Sequence, residues 1–486
     1  MIYKLPDITQ EIKVSDPFKD CVLKREPYAQ VLTKIIEDAK GGVIALNGKW
    51  GTGKTTFVKM WKVYLEKNDF TCLYLNVWDN DYSVDPIIPL MAQFYELFNS
   101  KLKEKSLNNY LAKGAKVTIN ILKPIGKGVL KKLTGIKADE IVEGVDEALD
   151  ESIEQLAKYG ESIINKAIEE KKDLVAFKKE LEKMVNVANE KSDKSETDNT
   201  LPKKPIVCII DELDRCNPHY AVLVLERIKH LFSVEGIVFV LSIDKEELEN
   251  SIRGYYGSDL IDSPEYLRRF FDIELKLPIP LDNKFIDYVY KSMDFENVMN
   301  NRQRINARAG KERENLGKII KLLLSNDVPS LRMIEKYMNY LRLVLAVERP
   351  SRTIQADSIA ILLYIKYLYP EFYYNISHRK YSLSELFNQI DSIFDISFFV
   401  DSNTNSINRV LAFSLTEIIC SYNSSEYGQE IEPFLYQDST NSQLKLRNIH
   451  QDLWNDIINW KKRNSFDLFP LNQVIENIEL IGNMIV

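Results

Sequence analysis

Cysteine is scarce and scattered. The five present, Cys21, Cys72, Cys208, Cys216 and Cys420, are odd in number and never in CxxC spacing. That excludes a disulfide framework and a thiolate zinc site, and it predicts a reducing, cytoplasmic setting. Histidine is scarcer still: His219, His230, His378 and His450 stand apart from acids and cysteines at metal-ligand spacing, so they are read as structural. The chain also lacks a basic excess, with 64 Lys and Arg against 71 Asp and Glu and a net charge of −7. A constitutive nucleic-acid coat is therefore excluded, though a local basic patch is not. No window of about 18 residues runs apolar and uncharged, so no integral membrane segment is expected. The opening MIYKLPDITQEIKV has no apolar run before a cleavage site, so no secretory leader is expected either.

What remains is an ordinary globular composition: 486 residues, 45% hydrophobic and 10% aromatic, enough for about three structural units. Helical periodicity runs from Tyr28 to Ile36. GGVIALNGKWGTGKTTFVKMW then reads as a buried strand, a glycine-rich turn and a helix. Further strands are predicted at Cys72–Val77, in PIVCIID ending at Asp211, and from Gly236 to Asp244, with a short fifth in DIELKLPIP. Strands separated by helical stretches imply a doubly wound parallel sheet in an α/β fold.

From 97 to 204 the strand signal is replaced by Lys, Glu, Ala and Ile at helical spacing, which predicts a helical insertion and linker. Its charge is divided: residues 101–137 hold ten lysines and one glutamate, and 139–170 hold eleven acids and two lysines. Two readings stand side by side. The halves pair as a hairpin, or the basic half, Lys101 to Lys137, touches anionic lipid or nucleic acid. Because the insertion begins and ends between sheet elements, removal of 105–195 is expected to leave a folded core. The divisions that follow are 1–96 and 205–280 for the two parts of the sheet domain, 281–348 for a helical lid, and 349–486 for a helical C-terminal domain of unassigned role.

Gly48-Lys49-Trp50-Gly51-Thr52-Gly53-Lys54-Thr55 fits G-x-x-x-x-G-K-[ST] between a predicted strand and helix, the context this phosphate-binding loop requires. Its glycines let backbone N–H groups wrap a triphosphate at a helix N-terminus. Gly48, Trp50, Gly51, Thr52, Gly53, Lys54, Thr55 and Thr56 are the candidate ATP-binding residues. Lys54 is assigned to the β- and γ-phosphates, and Thr55 with Asp211 to Mg2+. Asp211 ends the apolar strand IVCIID and Glu212 follows it, placed to polarise an attacking water. The plain alternative for Glu212 is a helix N-terminal acid. Ser242 and Asp244 end the next strand as candidate sensors of phosphate or water, Asp244 foremost, with a helix cap as its other reading. The base-specifying N-K-x-D box of GTPases is missing, since Asn283-Lys284 is followed by Asp287, so ATP is preferred.

Five separated segments together resemble the KAP P-loop NTPases. They are NGKWGTGKTTFVKMW, LNVWDNDYSVDPIIPL, IIDELDRC, SIDKEELENSI and SLRMIEKYMNYL, the last carrying Ser330-Leu331-Arg332 where Asn-Pro-Arg is usual. The resemblance spans about residues 15 to 345. It implies a P-loop fold, Mg2+-dependent ATP hydrolysis and a lid arginine at Arg332. It also implies an insertion between Lys54 and Asp211, which in many members holds paired membrane helices and here is broken by lysines. PEYLRRFF is similar to the segment of AAA+ proteins that reaches a neighbour's nucleotide, making Arg268 and Arg269 candidate fingers in a homo-oligomer, with Arg215 as an alternative within the chain. Bacterial relatives are associated with excluding phage and plasmids, so a defence role and an effector protein partner follow from resemblance alone. Two rival readings are a nucleotide-gated scaffold with negligible turnover and a nucleic-acid-stimulated motor.

Overall fold

The computed structural model describes residues 5–10, 12–37, 39–82, 86–99, 113, 175–186, 204–229, 234–278, 283–305, 309–326, 330–347, 356–394, 407–424 and 471–484. The proposed hairpin of 101–137 with 139–170 lies outside the described residues, Lys113 excepted. The chain forms two compact units, Ile8–Ile279 and Met1–Asp7 with Pro280–Val486.

In the first unit, five apolar runs form strands β1 (Gly42–Asn47), β2 (Cys72–Asn76), β3 (Ile206–Asp211), β4 (Ile237–Ile243) and β5 (Ile273–Lys276). All pair in parallel, in the order β2-β3-β4-β1-β5. β3 and β4 are buried along their whole length, which is why they read as continuous apolar runs rather than alternating ones. β5, at the edge, alternates charge with apolar residues and is mostly exposed.

Alternation along β1 separates two apolar layers. Ile44 and Leu46 face helices α1 (Glu26–Glu37) and α2 (Lys54–Lys67), where Leu32, Ile36, Phe57, Trp61 and Leu65 are buried. Val43 and Ala45 face the other side, covered by α3 (Ile87–Asn99), α4 (175–186), α5 (Pro218–Ile228) and α6 (Lys245–Tyr256). Here the structure revises one expectation. α4 falls inside the stretch read as a removable arm, yet its Phe177, Leu181, Met184 and Val185 are each at most 2% exposed and belong to the sheet's own core. Their i, i+4, i+7, i+8 spacing presents one apolar stripe, and that stripe is used by the sheet. The chain therefore rejoins the domain well before residue 195.

Register aligns the carboxyl ends of the strands: Asn76 opposite Asp211, Asp211 opposite Ser242, and Asn47 opposite Ile243. Polar residues far apart in sequence thus share one rim of the sheet.

The second unit is helical. Leu331–Val347 and Ala356–Leu368 contribute to one continuous apolar core, so the stretches separated at 348 in the sequence reading share their packing. Residues Ala356 to Ile365 are buried on every side, as in a helix surrounded by others. Arg332 lies in the first turn of Leu331–Val347.

Candidate nucleotide site

The phosphate loop leaves β1 at Asn47 and enters α2 at Lys54. Gly48 N–H donates to the carbonyl of Ile243, which pins the loop's start to β4. Gly51 and Gly53 have φ of 76° and 80°, backbone that a side chain resists. At Gly48 a Cβ would come within 3.1 Å of Thr52 Oγ1 and 3.3 Å of the Lys54 side chain, so any larger residue would push on the two side chains that close the loop.

Lys54 is buried with its ammonium folded back onto the loop, donating to the carbonyls of Gly48 at 2.5 Å and Lys49 at 3.4 Å. Burial lowers its pKa despite the nearby carboxylates, of which Asp214 is the strongest influence. Thr52 Oγ1 closes the loop on the Lys49 carbonyl at 2.7 Å. Thr55 and Thr56 follow in the first turn of α2, both half-buried.

Across from the loop, β3 ends in Asp211, which is fully buried. Its two carboxylate oxygens accept from Tyr74 OH and from the Glu212 N–H, each at 3.0 Å. Glu212 itself sits at φ 64°, ψ 25°, left-handed backbone that is unusual for a residue with a side chain. That turn aims its carboxylate at the loop. Oε1 accepts from Thr55 Oγ1 at 3.3 Å and pairs with Arg215 at 2.6 Å, while Oε2 accepts from Asn76 Nδ2 at 3.1 Å. Arg215 in turn lies over the Trp78 ring, 5.5 Å from its centroid. Glu212 does cap a short turn of 3-10 helix, but its side chain makes no capping bond there.

Asp244, expected as sensor or cap, makes no side-chain cap bond to α6. Its Oδ2 accepts from the Trp50 backbone N–H at 2.7 Å and so holds the crest of the loop. The hydroxyl of Ser242 is buried without a hydrogen-bond partner. Arg268 is 74% exposed and pairs with Glu265 one helical turn earlier. Arg269 lines a cavity with Lys40, Gly42 and Asp272, at the amino end of β1 rather than the rim. Arg332 belongs to the helical unit.

Three partners escaped the sequence reading. Asn76 bonds Glu212 and the Trp78 ring lies against Arg215, roles that the segment LNVWDN does not show by itself. Asp214, three residues after Asp211, has a buried carboxylate that takes the Trp50 indole N–H on Oδ2, faces the Lys54 ammonium at 3.9 Å and leaves Oδ1 without a partner. Burial raises its pKa, against the opposing pull of Lys54. The only local signal was its spacing in DELD; what it touches depends on the loop.

A parallel sheet with a glycine loop between its first strand and helix, a lysine at the loop's end and two consecutive acids after a neighbouring strand defines a nucleotide-binding P-loop NTPase. Residues 25–347, more than half of the chain, match the KAP family P-loop domain, and the chain belongs to that family. It is also similar to the uncharacterized protein MJ0182 of Methanocaldococcus jannaschii, 28% identical over 191 residues, covering 35% of this chain and 89% of that protein. Among the described residues no helix is long and apolar enough to cross a membrane, and no group of three or more His, Cys, Asp and Glu is placed to hold a metal by itself.

Proposed function

We propose that the protein is a cytoplasmic, Mg2+-dependent ATPase whose cycle of ATP binding and hydrolysis drives a conformational or assembly switch. The observation that carries this is the placement of Glu212, a carboxylate held in left-handed backbone with one oxygen 3.3 Å from the phosphate-loop Thr55 hydroxyl. A general base must stand that close to the phosphates to take a proton from the attacking water. Magnesium suits the donors: a hydroxyl on Thr55 and a carboxylate on Asp211 are the few hard oxygens that such a site needs when phosphate and water supply the rest. Bound there, the ion would neutralise charge on the phosphates.

The chain's own groups supply the remainder. Loop N–H groups and Lys54 bind the β- and γ-phosphates, Glu212 orients water, and Arg215 is the cation closest to that carboxylate. Lys54 and Thr55 each have a second state built in, since both now bond protein atoms that nucleotide and metal would replace. That exchange is the switch. Arg332, the helical unit and the insertion would read it out to an effector protein, in defence against phage or plasmids. A homo-oligomer would offer Arg268 or Arg269 to a neighbour's phosphates, and Arg268 has the exposure this requires.

The test is a pair of variants. Lys54→Ala should weaken Mg·ATP binding in a calorimetric titration, and unchanged affinity would refute the loop assignment. Mixing Arg268→Ala/Arg269→Ala protein with Glu212→Gln protein should restore part of the turnover that each lacks alone; no recovery removes the trans finger. Stimulation of turnover by DNA would instead favour a motor that uses the Lys101–Lys137 stretch.

A further inference from the structure

Arg25 stands just before α1 and has no role in the chemistry above. It is nonetheless 3% exposed, and its guanidinium reaches the phosphate loop from behind. Nη2 donates to the carbonyl of Thr52 at 2.9 Å and to that of Pro278 at 3.0 Å, and Nη1 donates to the carbonyl of Gly53 at 3.2 Å. The backbone of Arg25 is itself fixed, because its carbonyl accepts from Ala29 N–H at 3.1 Å in the first turn of α1. Nε is buried without a partner.

Two features of this arrangement exceed what a structural tie needs. The first is direction. Thr52 and Gly53 are the last loop residues before Lys54, and a peptide plane with its carbonyl drawn to one side points the next N–H to the other. The Thr52 carbonyl drawn toward Arg25 therefore commits the Gly53 N–H to the opposite side, and at Gly53, whose carbonyl also takes the Phe57 N–H of α2 at 3.1 Å, Arg25 reinforces the direction that the helix sets for the Lys54 N–H. The second is charge. Among the described residues every bond that Arg25 makes is to a neutral carbonyl; burial lowers its pKa to about 10, only partly offset by Cys21 and Tyr28. A buried guanidinium without a counter-ion is costly unless another negative charge arrives. A polyphosphate seated on the far side of the same loop is such a charge.

We propose that Arg25 is a positioning residue of the phosphate loop: it turns the Thr52 and Gly53 carbonyls away from the ligand so that the loop's N–H groups face polyphosphate, and its unpaired charge is balanced when that polyphosphate binds. The proposal rests on the ATPase reading for the identity of the ligand. It differs from Lys54's role in that Arg25 never touches the phosphates. Lysine cannot replace it fully, because one ammonium lacks the planar fork that spans three carbonyls.

The experiment compares wild type with Arg25→Gln, Arg25→Ala and Arg25→Lys, reading Mg·ATP affinity, kcat and KM, and the thermal midpoint with and without Mg·ATP. Expected are a fall in affinity of about tenfold or more for Gln and Ala, a smaller fall for Lys, and a raised KM with kcat at saturation nearly kept, since Glu212 and Arg215 are intact. A merely structural tie would lower the midpoint of the free protein and leave the nucleotide-induced rise unchanged; a positioning residue shrinks that rise. Millimolar guanidinium should restore the rise in Arg25→Ala by filling the vacated space. Wild-type affinity in Gln and Ala, or an undiminished nucleotide-induced rise, overturns the proposal. If Gln and Ala do not fold, Arg25→Lys decides it by the same rise. A wild type that binds Mg·ATP without turning it over sinks the hydrolysis reading alone, because the binding measurements still judge Arg25; a wild type that binds no nucleotide sinks both.

Discussion

The two units differ in where their buried polar groups collect. In the helical unit they are spread through the core, and many are matched across helices: Tyr337 OH donates to the Ala360 carbonyl at 2.8 Å, Ser358 Oγ to Glu417 at 3.3 Å, and Lys366 pairs with Glu479 at 3.0 Å, although the Tyr373 hydroxyl has no hydrogen bond. In the sheet unit they crowd one rim, and several are left with capacity to spare. Asp214 Oδ1, Ser242 Oγ and Arg25 Nε have no partner, and Lys54 is held mostly by carbonyls. A satisfied network fixes a structure, whereas an unsatisfied buried group costs free energy that a ligand can recover. The clustering of such groups around the phosphate loop, rather than their number, fits a ligand at that rim.

The harshest way to break this comparison is to remove apolar support from one side only. Deleting 105–195 takes away Phe177, Leu181, Met184 and Val185, each core truncation being worth about 2–5 kcal/mol. Loss of a cooperative melt is expected, whereas a linker replacing only 105–174 should keep the melt and nucleotide binding. Circular dichroism melts of the two deletions decide whether α4 is core or arm.

Next in size is Glu212→Gln, which keeps shape and loses the charge that orients water. Turnover should fall by about a hundredfold or more with Mg·ATP binding retained. Wild-type turnover would move the base elsewhere.

A smaller effect separates the two units by pH. Asp214 has its pKa raised by burial, so the folded protein holds this proton to higher pH than the unfolded chain does. Stability relative to Asp214→Asn should therefore drop as pH climbs above the ordinary value of 3.8, by about 1.4 kcal/mol for each unit that the folded-state value exceeds it. Denaturant titrations from pH 4 to 8 measure the difference, and parallel curves would mean that Asp214 titrates normally.

The smallest effect is expected from Tyr337→Phe, which removes one buried hydrogen bond in the helical unit. About 1 kcal/mol of stability should go, with KM and kcat untouched. A change in turnover there would blur the division between the helical core and the nucleotide rim.

Much of this site was legible in the sequence because its chemistry is local. Eight consecutive residues from Gly48 to Thr55 specify a loop by their own backbone freedom, and an apolar run ending in Asp211-Glu212 announces a buried strand with acids at its tip. Strands β1 to β4 were legible for the same reason, each being a short apolar run between turns. α4 fell within a stretch whose helical spacing was legible, but nothing local said that the stripe of Phe177, Leu181, Met184 and Val185 would cover the sheet. Likewise the bond from Asn76 to Glu212 depends on β2 and β3 being neighbours in register, which no spacing between residues 76 and 212 reveals.

By itself, then, the sequence determined the phosphate loop, the paired acids and the strands that carry them, since each is set by propensities and contacts within about ten residues. Only the tertiary structure decided that Asn76 bonds Glu212, that Asp244 grips Trp50 instead of capping its helix, that Asp214 lies beneath the loop and that Arg25 braces it from behind. Those choices are made by strand order and register, which bring together residues as distant as Arg25, Thr52 and Pro278, and a contact between distant residues leaves no period or spacing for a single sequence to show.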